Sequence, residues 1–333
     1  MRKLLVLSAA DVRSLLSYDE CAAAMRGALT ALAAGRAQQP LRTVIRPEGT
    51  AGLMALMPSY LAEEEGGQAA AYGLKAICIT PTNPAAGLDT HQGVVLLSSG
   101  ITGEPVAVVN ASAVTEIRTA AVSVVATDLL ARPDADQLAV IGTGVQARAH
   151  ILAFDGARQL SQIRVAGRDP ARTARFAASL GGQAAAPVRP CSSARDAVTG
   201  AGIIVTATSS ARPVLNRDWI EAGTHINAVG ACLPHQRELD TATVAAAVLF
   251  ADRRDSLLAE SGDYRLAAAE GAVTEDQIRA ELGELLLGTA TGRASADEIT
   301  IFESLGLAVE DLAAASRVHA LAVETGAGTW TDF

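Results

Sequence analysis

Residues 137–147 read Gln137-Leu138-Ala139-Val140-Ile141-Gly142-Thr143-Gly144-Val145-Gln146-Ala147. An unbroken apolar run ends in a glycine turn and opens a helix. The spacing is G-x-G-x-x-A, and its place between a strand and a helix gives the pattern its meaning. Gly142 permits the tight turn, Gly144 lets a backbone approach a pyrophosphate, and Ala147 lets the helix pack close on the strand. The helix N-terminus then offers free N–H groups and the positive end of its dipole to phosphates. This stretch predicts a Rossmann-type dinucleotide-binding unit.

Downstream, a second strand is expected at Gln162–Ala166, a helix at Ala171–Leu180, and further strands at Ile203–Ala207, His225–Val229 and Val248–Ala251. Continuous apolar strands alternating with helices predict an α/β, doubly wound parallel sheet covered on both faces. The second strand ends in Gly167-Arg168-Asp169. An NAD site usually presents a carboxylate there for the ribose hydroxyls. Arg168 instead stands where a guanidinium meets a 2′-phosphate, so NADPH is the expected cofactor over NADH. Asp169 is placed to cap the next helix, with Pro170 in its first turn.

Upstream, Ser17 and Glu20 have capping-box spacing. Ala24, Met25, Ala28, Leu29 and Leu32 follow at helical intervals until Gly35. Short β-like runs come next: Arg42–Ile45, Gly52–Met57, Tyr72–Thr80, Gly93–Ser98 and Pro105–Asn110. Turn residues such as Asn83-Pro84, Gly87 and Gly103 separate them, which predicts a largely antiparallel, hairpin-rich sheet. A helix is expected from Val114 to Leu130, a strand at Ile299–Phe302 and a last helix from about Ala308 to Thr325. The expected organisation is a discontinuous α+β substrate and dimerisation domain (1–118 and 308–333) around a dinucleotide domain (119–307).

Composition narrows the partners. The 333 residues are 50% apolar, 19% charged and 3% aromatic, with a net charge of −9. Such a chain has no basic stripe to neutralise phosphates and few rings to stack on bases, so no nucleic-acid partner is expected. No stretch approaches the ~18 apolar residues of a membrane span, and no membrane partner is expected. Cys21, Cys78, Cys191 and Cys232 are scattered singly, without zinc spacing, which points to a reduced, cytoplasmic protein with no structural metal. The opening MRKLLVLSAA faintly imitates a signal peptide, but its apolar run ends at Asp11 and the residues that follow read as an integral helix.

Three cations stand out in the first portion: Arg42, Lys75 and Arg118. Lys75 interrupts the apolar strand Tyr72-Gly73-Leu74-Lys75-Ala76-Ile77, and a buried lysine is expensive unless paired or used. Spacing alone does not bring the three together. The chain, however, resembles the ornithine cyclodeaminase/mu-crystallin family along nearly its whole length. The resemblance is carried by Pro40–Thr43, Gly52–Pro58, Tyr72–Lys75, Thr115-Glu116-Ile117-Arg118-Thr119-Ala120-Ala121, Gly142–Ala147, His225–Gly230 and Phe302–Asp311.

The resemblance implies that Arg42, Lys75 and Arg118 gather round a substrate carboxylate beside the nicotinamide, with Met57 and Cys232 in the substrate pocket. It implies that Thr119, Gly142, Gly144, Val145, Gln146, Arg168, Thr206, Thr208 and Val229 line the dinucleotide, and that the protein is a homodimer. Cyclodeaminases carry a glutamate where this chain has Ala55. They also carry an aspartate two residues after the Asn-Ala-Val-Gly turn, where this chain has Cys232. A neutral cysteine holds no ammonium by charge and alanine makes no hydrogen bond. Ornithine is therefore a poor substrate candidate, and the segment Gly230–Asp240 looks closer to the mu-crystallin and ketimine reductase branch.

The expected activity is NADPH-dependent reduction of the C=N bond of a small cyclic α-imino acid, such as Δ1-pyrroline-2-carboxylate or Δ1-piperideine-2-carboxylate. Arg42 and Arg118 would clamp the carboxylate, and Lys75 would serve either as proton donor or as a third carboxylate contact. Cys232 is expected first as a small apolar wall of the pocket, ahead of a weak hydrogen-bond partner to the imine nitrogen and, last, a nucleophile. His91 and His225 are site neighbours or structural, and His235 is given no role. Ornithine cyclisation, reductive amination of 2-oxo acids and a non-catalytic, ligand-binding crystallin role are the competing readings.

Overall fold

The computed structural model of the chain describes residues 3–63 and 69–333. Its first elements are β1 (Lys3–Leu7), α1 (Ala9–Leu15), α2 (Tyr18–Ala33), β2 (Ala37–Gln38), β3 (Thr43–Ile45), β4 (Leu53–Leu61) and β5 (Ala71–Ile79). Then come β6 (His91–Ser99), β7 (Pro105–Asn110), α3 (Ala111–Leu130), β8 (Gln137–Ile141), α4 (Val145–Ala157), β9 (Gln162–Ala166) and α5 (Pro170–Ser179). They are followed by β10 (Val188–Pro190), α6 (Ala194–Val198), β11 (Ile203–Thr206), β12 (His225–Ala228), α7 (Thr241–Ala246) and β13 (Val248–Ala251). The chain ends with α8 (Arg254–Glu260), α9 (Gly262–Ala269), β14 (Ile278–Glu281), α10 (Leu282–Leu287), β15 (Thr300–Glu303), α11 (Ala308–Thr325) and β16 (Thr329–Asp332). Contacts group these into two units, residues 1–118 with 306–333, and residues 119–305.

In the first unit the capping box forms as the spacing predicts. Ser17 Oγ accepts from Glu20 N at 3.2 Å, and Glu20 Oε2 accepts from Ser17 N at 3.4 Å. The sheet runs β16-β1-β7-β6-β5-β4-β2, with β3 also pairing β4. Strands β4 to β7 form an antiparallel meander, and β1 joins β7 in parallel. Side chains alternate between faces along each strand. Ala55 and Met57 of β4, with Lys75 and Ile77 of β5, are buried on the inner face, against which α11 packs.

Two features of this unit depart from the sequence reading. The opening apolar run forms the strand β1 between β7 and the late strand β16. Of that run, Met1 and Arg2 lie outside the described residues. Both β1 and β16 are short strands that exist by pairing with distant partners, a relation no local pattern carries. Arg42, expected inside a strand, lies just before β3, which begins at Thr43.

The second unit is a single eight-stranded parallel sheet in the order β10-β9-β8-β11-β12-β15-β13-β14. Its first five strands follow the order 3-2-1-4-5 of a Rossmann sheet, and β15 takes the sixth place. All four residues of β11, β12 and β15 are buried, as they must be in a sheet covered on both faces. Residues 120–127 of α3 are buried too. The polar groups among them find partners: Ser123 Oγ meets His150 Nε2 at 2.9 Å, and Thr127 Oγ1 accepts from Asn227 Nδ2 at 3.0 Å.

Candidate active site

The register of the β4–β5 hairpin sets Met57 directly opposite Lys75, side by side on the inner face. Lys75 is 4% exposed, and its Nζ lies 2.6 Å from Asp311 Oδ2. The other oxygen of the same carboxylate, Oδ1, accepts from Arg118 Nε at 3.1 Å. Arg118 Nη1 also donates to Glu310 Oε2 at 3.1 Å. Arg42 Nη2 donates to the carbonyl of Gly306 at 2.9 Å. The three cations singled out in the sequence thus converge on the residues that open α11.

Gly306 has φ +78, and a Cβ there would lie 2.7 Å from both Nη atoms of Arg118. Only glycine suits that backbone, and only glycine leaves room for the guanidinium. Burial drives the Lys75 ammonium down to about 8; Asp311 opposes the fall, and Arg118 and Arg42 add to it. Burial pushes the Asp311 carboxyl up, but the Lys75 and Arg118 charges win and hold it below the ordinary carboxylate range. Glu310 is pushed up by burial, with Arg118 resisting. Arg118 and Lys75 share the Asp311 carboxylate, and Arg118 also meets Glu310, so charged groups of both signs are packed together out of water.

The nucleotide turn of the second unit follows β8. Gly142 has φ +135, and a Cβ there would come 2.4 Å from the carbonyl oxygen of Ala207, at the end of β11. Buried Ala147 faces the same spot at 3.7 Å, so both small residues serve close packing of α4 on the sheet. Gly144 differs: a Cβ there would meet nothing within 4 Å. Packing gives no reason for a glycine at this position, whereas the close approach of a diphosphate does. Gly144 is also the N-cap of α4 and provides no side-chain hydrogen bond to the first turn, and Val145 is exposed. The residues present fit a dinucleotide phosphate seated on this helix N-terminus.

The other expected nucleotide residues follow the C-terminal ends of neighbouring strands. Gln146 lies in the first turn of α4, Arg168 follows β9, Thr206 and Thr208 end and follow β11, and Val229 follows β12. Thr119 is buried in α3. Arg168 is exposed, and the Asp169 carboxylate caps α5, accepting from Ala171 N at 2.9 Å and Arg172 N at 3.1 Å. Buried Glu238 ties two strand ends together, accepting from Thr208 N at 2.6 Å and Gly230 N at 2.7 Å.

Cys232 is half-buried against the core of the second unit. His225 is buried in β12 with Nδ1 2.9 Å from Thr300 Oγ1, and burial drives its pKa down to about 3, a structural role. His91 opens β6 at an exposed position, and His235 is exposed after Cys232. Sequence reasoning gave no role to Asp311, Glu310 or Gly306, nor to His150, whose Nδ1 donates to the Gln146 carbonyl at 2.8 Å. A signal for the acids was present, since two adjacent carboxylates in the apolar turn Ala308-Val309-Glu310-Asp311-Leu312 demand cationic partners. A signal for the lysine was present too: of 27 Lys and Arg residues only Lys3 and Lys75 are lysines.

Comparison with known proteins agrees with this architecture. Residues 2–326 match the profile of the ornithine cyclodeaminase/mu-crystallin family. The ketimine reductase mu-crystallin of Mus musculus is 39% identical over 285 residues, 86% of this chain and 85% of that protein. A Δ1-pyrroline-2-carboxylate reductase of Bacillus cereus is 35% identical over 331 residues, 99% of this chain and 100% of that protein. Among solved structures, the Thermococcus litoralis Δ1-pyrroline-2-carboxylate reductase in complex with NADH and L-proline superposes with a TM-score of 0.93. Its sequence identity is 36%, with 98% of this chain and 99% of that chain covered.

Proposed function

Since the chain belongs to the ornithine cyclodeaminase/mu-crystallin family, we propose that it is a pyridine-nucleotide-dependent reductase of small cyclic α-imino acids. Δ1-Pyrroline-2-carboxylate and Δ1-piperideine-2-carboxylate are the substrates in view, reduced to the corresponding L-amino acids. The observation that carries the reading is the convergence of half-buried Arg42 and buried Lys75 and Arg118 on the residues that open α11, a set of donors suited to a substrate carboxylate. Related proteins that bear the names ketimine reductase and Δ1-pyrroline-2-carboxylate reductase support the same chemistry. Ala55, buried beside Met57 on the inner face, and the thiol of Cys232 offer no charge for a substrate side-chain amine, which argues against ornithine.

In this reading Arg42 and Arg118 hold the substrate carboxylate, fixing the imine carbon and excluding other poses. Lys75 Nζ gives a proton to the imine nitrogen, for which a pKa of about 8 is well placed. The bound nicotinamide supplies the hydride for the imine carbon. Gly144 and the first turn of α4 would hold its diphosphate, with Thr206, Thr208 and Val229 at the neighbouring strand ends. Arg168, together with the engagement of Asp169 as a helix cap, supports NADPH over NADH.

A homodimer is part of the proposal. The outer face of the first unit's sheet carries an apolar row across five strands: Val6, Val108, Leu96, Leu74 and Pro58. Beside it Tyr60 meets half-exposed Tyr72 in a tilted pair, their ring centroids 4.9 Å apart. A second copy of the same face would remove this apolar surface from water. Cys21, Cys78, Cys191 and Cys232 are free thiols, which suits a reducing, cytoplasmic compartment. No helix among the described residues is long and apolar enough to cross a membrane.

The decisive assay follows nicotinamide absorbance with Δ1-piperideine-2-carboxylate and, in parallel, with pyruvate plus ammonia or methylamine, each with NADPH and NADH. Fast oxidation with the cyclic imine supports the proposal. Turnover with the oxo acid and amine alone would assign the pocket to open-chain imines, and no turnover with any pair would reject reductase activity.

A further inference from the structure

We infer that the segment Gly306–Asp311 is the positioning template of the cation cluster. Asp311 is its central positioning residue, one carboxylate forked between Lys75 and Arg118 that sets where both cations point. The inference deepens the functional reading above and rests on it for what the cations bind.

The three cations come from three places in the chain: Arg42 from the stretch before β3, Lys75 from β5, and Arg118 from α3. Their side chains are long and rich in rotamers, so holding three of them in one geometry calls for a shared, fixed support. The six residues from 306 to 311 hold all of them. The Gly306 carbonyl takes Arg42, Glu310 takes Arg118, and Asp311 takes Arg118 on one oxygen and Lys75 on the other.

The segment is itself anchored. Ser59 Oγ donates to the Ala308 carbonyl at 3.1 Å, Val309 N donates to Gln39 Oε1 at 2.9 Å, and Leu307 N donates to Glu310 Oε2 at 3.2 Å. Both carboxylates lie in the first turn of the 18-residue helix α11, where the helix dipole favours the ionised form. Rigid supports of this kind are what hold a binding constellation to its working geometry.

Charged and titratable groups that act on Lys75 come from several elements: Asp311 and Glu310 from α11, Arg118 from α3, Arg42 from the stretch before β3, and His91 from β6. Removing the Asp311 charge leaves the two guanidinium groups acting against the lysine, with Glu310 the remaining anion. The ammonium then deprotonates at lower pH.

Because Lys3 and Lys75 are the two lysines of the chain, protein labelled with carbon-13 at lysine Cε gives two assignable resonances, with Lys3→Arg identifying Lys75. In the wild type the Lys75 resonance titrates at about 8. In Asp311→Asn it titrates lower by about one unit or more, with Asp311→Glu in between. At pH near neutrality Asp311→Asn loses about 10²-fold in kcat/KM for Δ1-piperideine-2-carboxylate, while the NADPH dissociation constant stays within about twofold. If Asp311→Asn does not fold, Asp311→Glu and Gly306→Ala report instead. The first moves the Lys75 titration, and the second lowers kcat/KM by pressing a Cβ on Arg118. A Lys75 titration that is the same in wild type and in every Asp311 variant overturns the template. A wild type inactive on all imines, with the Lys75 titration still shifted by Asp311→Asn, sinks the functional reading and upholds the hold of Asp311 on the lysine.

Discussion

Lys75 and Asp311 form an ion pair at 2.6 Å with both side chains almost wholly out of water, 4% and 1% exposed. The ammonium is nonetheless driven down to about 8 by burial, against the pull of Asp311. Below that pH Lys75 has a proton to give; above it the proton is gone, so activity falls as pH rises through about 8. Lys75→Ala should lose about 10²–10⁴-fold in kcat/KM, the usual contribution of a general acid. Lys75→Arg separates proton donation from carboxylate contact. A donor role predicts a collapse of kcat at nearly constant KM and loss of the alkaline limb near 8. Retained kcat in the arginine variant would assign Lys75 to carboxylate binding alone.

Gly142 and Gly144 belong to one motif but answer to different forces. Gly142→Ala places a Cβ 2.4 Å from the Ala207 carbonyl in a backbone conformation that L residues avoid. That should cost about 1–3 kcal/mol of stability from strain alone, read as a lowered thermal midpoint even without nucleotide. Gly144→Ala meets nothing in the protein. It should leave the nucleotide-free midpoint within about 1 °C, because new surface atoms rarely matter, yet weaken NADPH binding about tenfold or more by obstructing the phosphate. Equal effects of the two changes on the nucleotide-free midpoint would refute the distinction.

The contrast between those glycines and Asp311 shows where sequence reading works. Gln137–Ile141, Pro105–Asn110 and Val248–Ala251 form strands over the residues expected, because each apolar run is closed by residues that break a strand. The parallel sheet and its glycine turn follow from that local grammar. Asp311 could not be placed in the same way. Its partner Arg118 is 193 residues away, and a carboxylate in a helical pattern normally belongs to a solvated face. The strands β1 and β16 escaped for the same reason, each being defined by a partner from the other end of the chain. Arg42, Lys75 and Arg118 stood out as cations, but the common support that holds them is visible only in three dimensions.

Arg168 tests the choice of nucleotide. With the Asp169 carboxylate engaged by the first turn of α5, the guanidinium is the group offered at the end of β9. Arg168→Ser should raise the KM for NADPH about tenfold or more, the loss expected for a charge-assisted contact, and leave NADH within about twofold. Parallel saturation curves for the two nucleotides decide it. An unchanged NADPH-to-NADH ratio would remove Arg168 from the site.

The outer face of the first sheet makes a prediction about assembly. Leu96 lies in the middle of the apolar row, between Leu74 and Val108. Leu96→Asp should turn a dimer into monomers in light scattering, since an unpaired charge buried at an interface costs several kcal/mol. The far-UV circular dichroism should stay unchanged. A wild type that is already monomeric, or a variant that remains dimeric, would show that this face does not join two copies.

Buried acids in the second unit give the stability a pH dependence of their own. Burial, with Glu238 nearby, raises Asp263 to about 7, and burial followed by the Asp263 charge raises Glu303 well above the ordinary range. Raised carboxyl pKa values mean that the folded chain keeps protons the unfolded chain has already released. Stability from this source is therefore present in acid and is lost as pH rises toward and through about 7. Ser261 Oγ donates to Glu303 Oε2 at 2.9 Å, a contact that a glutamine oxygen also accepts. Glu303→Gln should thus gain on the wild type as pH rises above the ordinary glutamate value of about 4.3, seen as a difference in thermal midpoint that widens with pH. Thermal unfolding of both proteins across a pH series measures it. A constant difference between the two at every pH would mean that Glu303 keeps no extra proton in the folded chain.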